Sequence, residues 1–202
     1  MYCALFITIV YWVGILGVAT HNLHILRLTP INMLVSLLVL NLGYAPTVKL
    51  YWTQWWIFCF GYLIEVAGIW SGLVFGEYEY RDNLGWQVLD TPLVMGVNWV
   101  VTVFCCASMA HHLGIKHKLY KAIVAASMMV LMDAFIEPIC EKAGFWAWSE
   151  GAAPYHNYIA WLVIGFGIQW VLTQVKISLN NYLAFLLYFL QIIFFIFAYI
   201  YL

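Results

Sequence analysis

The chain has 202 residues, of which 66% are hydrophobic and 8% charged, and its formal net charge is −1. Soluble domains carry about 25% charged residues, so this surface suits lipid rather than water. The near-neutral balance supplies no basic footprint and excludes nucleic acid as a partner.

From the N-terminus onward, apolar runs of about 20 residues recur, the length that crosses a bilayer as a helix. About seven transmembrane helices are predicted, near 2–19, 31–47, 54–75, 92–113, 119–139, 155–174 and 181–201. The first lacks a positive n-region and a small-residue cleavage site, so it reads as a retained helix. The second is interrupted by Asn41, Gly43 and Pro46. Short connections make 1–202 a single transmembrane domain. The expected fold class is all-α: a polytopic integral membrane helix bundle. Aromatic residues, 19% of the chain, are expected mostly in interfacial belts. Cys3, Cys59, Cys105, Cys106 and Cys140 show no metal spacing and read as buried thiols.

With seven spans, the loops near 20–30, 76–91 and 140–153 share one side with the C-terminus. The loops near 48–53, 114–118 and 175–180 share the other with the N-terminus. That second side carries Lys49, Lys116, Lys118, Lys121 and Lys176, against Arg27, Arg81 and Lys142 on the first. The positive-inside rule therefore points to a cytoplasmic N-terminus.

Two stretches, 65–99 and 133–161, carry the chemistry. Each runs from an acid in an apolar helix through an aromatic loop to a proline, then to Asn and Trp. The first has Glu65, Tyr78, Tyr80, Pro92, Asn98 and Trp99; the second has Asp133, Glu137, Trp146, Trp148, Pro154, Asn157 and Trp161. Gly68, Gly72 and Gly76 recur every fourth position, which predicts a close helix approach and turns Glu65 into the bundle. Both prolines suit a first helical position, with Asp90 and Thr91 as caps. On the predicted boundaries Glu65 lies about 16 Å and Asp133 about 9 Å before their helix ends. Asn98 and Trp161 lie about 9 and 10 Å inside theirs, so all sit in one half of the membrane.

A charged side chain in a spanning helix costs at least about 2.5 kcal/mol. Three acids on one side are therefore expected to do chemistry rather than only tie helices or pair with Arg81. Carboxyls crowded in an apolar setting resist joint ionisation, and a neutral acid beside an ionised one is the arrangement of general acid–base catalysis. Glu77, Glu79 and Asp82 read as a solvated loop face partnered by Arg81. His21 and His24 lie on one side and His111, His112 and His117 on the other, so no single metal site collects them, and HExxH is absent. A retinal pigment needs a lysine deep in the last helix, and 181–202 has none. Neither a metal nor any other cofactor is expected.

These residues resemble the membrane carotenoid biosynthesis family that includes the CruF-type carotenoid hydratases, most of all its short bacterial forms. The motifs are E-x-x-G-x-x-x-G-x-x-F-G-x-Y-x-Y at 65–80, L-G at 84–85 and P-L-x-x-G-V-N-W at 92–99. A second block has D-x-x-I-E-P at 133–138, F-W-x-W at 145–148 and N-Y-x-x-W at 157–161. The chain departs from the family pattern at Arg81, where the pattern has glycine. The resemblance implies hydration of the terminal C=C of an acyclic, lycopene- or γ-carotene-like carotenoid end. It also implies residence in a bacterial inner membrane, with other carotenoid enzymes as candidate partners. Glu65 or Asp133 is the expected acid and Glu137 the expected water activator. Trp70, Tyr78, Tyr80, Asn98, Trp99, Trp146, Trp148, Asn157 and Trp161 are expected to bind substrate, with Trp70, Trp99, Trp146 and Trp161 stabilising a carbocation. An end-group cyclase or isomerase, a non-catalytic carotenoid-binding membrane protein and, more weakly, a proton-coupled transporter remain alternatives.

Overall fold

The computed structural model describes residues 2–202. It contains seven long helices: α1 (Tyr2–Ala19), α2 (Thr29–Leu42), α3 (Val48–Ser71), α4 (Val94–His112), α5 (Lys118–Ile136), α6 (Tyr155–Gln174) and α7 (Tyr182–Tyr201). Five spans are long and apolar enough to cross a membrane: Tyr2–Ala19, Leu23–Leu42, Val94–His112, Lys118–Ile139 and Tyr182–Tyr201. α3 and α6 are as long but carry more Trp, Tyr and polar residues. The protein is a helical membrane bundle, as its composition predicts.

Helix α4 is the hub. It packs against α2, α3, α5, α6 and α7, and nearly every one of its residues is buried. Its small and β-branched residues, such as Val103, Cys105, Cys106 and Ala107, allow neighbours to approach from several directions. The outer helices instead expose Leu, Ile, Phe and Trp, as on α1, where Leu5, Phe6, Ile9 and Trp12 face outward. In a bilayer those side chains meet lipid.

Several boundaries differ from the sequence reading, each for a local reason. The second span lies at Leu23–Leu42 rather than 31–47, because a 3-10 run (Leu23–Leu28) leads into α2 and Gly43 caps it. Helix α3 starts earlier than predicted, at Val48, where the Thr47 hydroxyl accepts from the Leu50 N–H. It also ends earlier, because Gly72 adopts a left-handed φ of 63° that glycine tolerates. Gly72 and Gly76 therefore leave the helix, and the predicted three-glycine face does not form. Gly61 makes the close approach instead. A side chain there would collide with the Trp99 ring of α4.

Pro92 does not open a helix. It lies in a short ribbon, β2 (Gln87–Val88) against β3 (Thr91–Pro92), whose turn residues Leu89 and Asp90 both have positive φ, as in type I′ hairpins. Asp90 and Thr91 are thus hairpin residues rather than helix caps, and α4 begins at Val94. Tyr62 of α3 donates its hydroxyl to Val88 O at 2.6 Å and clamps the ribbon. Pro154 is the residue before α6 rather than its first.

The two motif loops meet, as the topology requires. β1 (Tyr78–Tyr80) pairs antiparallel with β4 (Trp146–Trp148), setting Tyr78 opposite Trp148 and Tyr80 opposite Trp146. The Asn83 amide donates to Ala143 O at 2.9 Å and extends the join. At the opposite end, Asn181 caps α7 by accepting from Leu183 N and Ala184 N at 2.9 and 3.2 Å, and its amide donates to Leu40 O at 2.9 Å.

Asn181 is remote from the acids, so Asn181→Ala tests the fold alone. Loss of the cap and the cross-helix bond is expected to cost about 1–2 kcal/mol. Thermal unfolding in detergent should show a lower midpoint, with the helix content of the folded protein unaltered.

Candidate active site

Three carboxyl groups enter the bundle from two helices. Glu65 is on α3, about 9 Å before its end at Ser71. Asp133 is on α5, about one turn from its end at Ile136. Glu137 opens the 3-10 turn Glu137–Ile139 that follows. All three line one cavity of about 100 Å³, to which all seven helices contribute. That volume exceeds the roughly 10–15 Å³ needed for one water.

Each acid has its own set of donors. Glu65 Oε2 accepts from the Tyr78 and Tyr80 hydroxyls at 2.7 and 2.8 Å, and its Oε1 accepts from Trp99 Nε1 at 2.9 Å. Glu137 Oε2 accepts from Trp148 Nε1 at 2.6 Å, from Trp146 Nε1 at 3.4 Å and from the Cys140 thiol at 3.7 Å. Asp133 is the least supplied: Asn157 Nδ2 donates to its Oδ2 at 2.8 Å. Among the described residues none of the three pairs with a cation. Arg81 pairs at 2.8 Å with Glu79, out on the loop.

The donors sit where local folding puts them. The β1–β4 pairing aims Tyr78 and Tyr80 at α3 while bringing Trp146 and Trp148 over Glu137. Trp99 passes through the gap left by Gly61, and its ring stacks on Trp161 of α6 with centroids 4.4 Å apart and planes 5° apart. Phe75 fills the space between Tyr78 and Trp161. Sequence reasoning gave Phe75 as a motif position without a role and missed Gly61, although Gly61 lies one helical turn before Glu65.

Most of the predicted substrate-side residues gather here. Tyr78, Tyr80, Asn98, Trp146, Trp148, Asn157 and Trp161 line the cavity. Trp99 stands behind that lining, fully buried, holding Glu65. Trp70 lies apart: it is 63% exposed on the outer surface of α3, because its position on the helix turns it away from α4. Its place is with the lipid-facing aromatics. Also on the cavity wall are Tyr11, Asn32, Ser36 and Gln191, from α1, α2 and α7, which the sequence reading did not single out.

The strand tyrosines lie outside the spanning helices. Burial pushes the phenols of Tyr78 and Tyr80 well above their ordinary range, and the adjacent Glu65 carboxylate adds to the effect. Above about pH 10 the unfolded chain then loses protons that the folded chain keeps. Stability must therefore fall as pH rises through that range. In absorbance titration at 295 nm, the difference between wild type and a Tyr78→Phe/Tyr80→Phe variant should show no ionisation near pH 10 while helicity persists. Two phenols titrating at pH 10 in the folded protein would contradict this site geometry.

A family model described as "Carotenoid biosynthesis protein" matches residues 10–202. No curated protein and no solved structure matches the chain. The matched span is nearly the whole chain, so the protein belongs to the carotenoid biosynthesis protein family.

Proposed function

We propose that this carotenoid biosynthesis protein adds water across the terminal double bond of an acyclic carotenoid end, giving a tertiary alcohol by carboxylic acid catalysis. The observation that carries this reading is the convergence of Glu65, Asp133 and Glu137 on one cavity whose remaining lining is mostly aromatic and apolar, with a few amides and hydroxyls. Electrophilic addition to an isolated alkene needs a proton donor, a way to hold a tertiary carbocation and a base for the attacking water. The cavity offers a residue for each task.

The donor patterns divide the roles. Glu65 accepts from three N–H or O–H groups, which suits an anion, since an ionised carboxylate is acceptor-only. Its negative charge, with the faces of Trp161 and Trp146, stabilises the cation. Asp133 has one donor and a free oxygen, so it suits a proton carried and given away; it is the assigned acid. Glu137 accepts from two indoles and a thiol and is assigned as the base for water. Tyr78, Tyr80, Asn98 and Asn157 shape the polar end, with Trp148 over the reacting carbons.

A polyene cannot be enclosed by a cavity of about 100 Å³, so one end group enters and the rest of the chain lies in lipid. We place the protein in a bacterial inner membrane with a cytoplasmic N-terminus, following the lysine bias of the loops. Lycopene- or γ-carotene-like carotenoids are the substrate class, and other carotenoid enzymes that make or use them are the expected partners.

Expression in cells that accumulate lycopene or γ-carotene tests the reading. A pigment carrying a tertiary hydroxyl with oxygen from water supports it. A ring-closed or merely isomerised end would assign the same acid to a cyclase or isomerase, and unchanged pigment with folded protein present would refute the hydratase. Asp133→Asn and Glu65→Gln are each expected to lower turnover by about 10²-fold or more, with the protein still folded in the membrane. Full activity in both would show that the chemistry lies elsewhere.

A further inference from the structure

We infer that Tyr11, Asn32, Ser36 and Gln191 hold the water molecule that attacks the carbocation, and so decide between hydration and return of the alkene. The inference rests on the hydration reading above and adds a function for a wall of the cavity that the carboxyl groups leave unused.

These four side chains come from α1, α2 and α7, whereas the acids come from α3 and from α5 with its terminal turn. All of them line the same cavity. The Tyr11 hydroxyl and Ser36 Oγ are 3.2 Å apart. Asn32 and Ser36 are one helical turn apart on α2, so they present to the same place. Gln191 is the one amide or charged residue in the whole of α7. Apolar packing explains none of them.

The decisive observation is that Asn32 Oδ1 is buried and has no hydrogen-bond partner among the described residues. A buried acceptor left empty is costly, and the space beside it is polar and large enough for water. A water that donates to Asn32 Oδ1 keeps lone pairs free for attack. Helix α7 also packs on the 3-10 turn that carries Glu137, which brings the water wall next to the assigned base.

The chemistry balances without an oxidant or reductant. The acid's proton forms the new C–H bond as the alkene π bond breaks. The water oxygen then forms the C–O bond, and its surplus proton passes to the carboxylate. If no water is poised, the cation instead loses a proton from a neighbouring carbon and an alkene returns. Water placement therefore sets the partition, which makes these four positioning residues rather than proton donors.

The partition is measurable. Wild type, Asn32→Leu, Ser36→Ala and Ser36→Thr, each in lipid nanodiscs, are given lycopene or γ-carotene in D₂O. The quantities read are tertiary alcohol formed and deuterium in the recovered carotenoid. In Asn32→Leu and Ser36→Ala, the ratio of alcohol to exchanged alkene should fall about tenfold or more, while Ser36→Thr, which keeps the hydroxyl, stays near wild type. A merely structural role would lower both quantities together. An unchanged ratio in folded Asn32→Leu and Ser36→Ala, beside a hydrating wild type, overturns the inference alone. A wild type that neither hydrates nor exchanges overturns the hydration reading and the inference with it. As an independent check, a lipidic-phase crystal structure should contain an ordered water within hydrogen-bonding distance of Asn32 Oδ1. Finding that position dry or filled by lipid would overturn the water site.

Discussion

A carboxyl group inside a bilayer must be supplied with donors, and the organisation of this protein follows from how Glu65 obtains its three. One donor, Trp99, comes from the neighbouring helix α4 and reaches Glu65 only because Gly61 leaves a gap. Two more, Tyr78 and Tyr80, come from the loop that follows α3. For that loop to return over its own helix it must be held from outside, and the strand pairing with Trp146–Trp148 holds it. The same pairing delivers indole donors to Glu137. One requirement, that buried polar groups be satisfied, thus connects α3, α4 and both motif loops.

The resulting arrangement has a rough two-part character. One part is α3, β1 and α4; the other is α5, β4 and α6. Each contributes a helical acid, a short aromatic strand and a helix bearing a tryptophan. They meet through the packing of α4 on α5 and α6, through the antiparallel strands and through the parallel rings of Trp99 and Trp161. Helices α1, α2 and α7 close the remaining side of the cavity and bring its amide and hydroxyl groups. Carboxyls and neutral polar groups therefore reach one space from different helices. Such a separation suits a reaction in which proton donor and nucleophile must act on different carbons.

A membrane setting also favours electrostatic chemistry of this kind. Interactions between a cation, aromatic faces and carboxylates are strong where water is scarce. Excess water would compete for the proton, and a dry site would leave a cation to lose one. A cavity with room for only a few waters lies between those limits. The aromatic surplus of the chain accordingly serves two ends. Trp52, Trp55, Trp56 and Trp70 face outward, while Trp146, Trp148 and Trp161 face the cavity.

What the sequence alone determined was the solvent, the number of long helices and that the two acid-bearing stretches share one end of the bundle. Those follow from hydropathy, length and the parity of crossings, none of which depends on packing. It also marked Glu65, Asp133 and Glu137, since an acid in an apolar helix is costly enough to stand out. Only the tertiary structure decided which groups satisfy those acids. Y-x-Y and W-x-W read as substrate-binding motifs of two separate loops until strand pairing set them face to face as donors to the acids. Pro92 looked like a helix start because the hairpin beneath it, with Leu89 and Asp90 at positive φ, bears no glycine to announce the turn. Trp70 and Trp99 could not be told apart by composition; the direction each takes from its helix sends one to lipid and the other to Glu65. Asn32, Ser36 and Gln191 were single polar residues in apolar runs, and their convergence exists only where α2 and α7, from distant parts of the chain, meet.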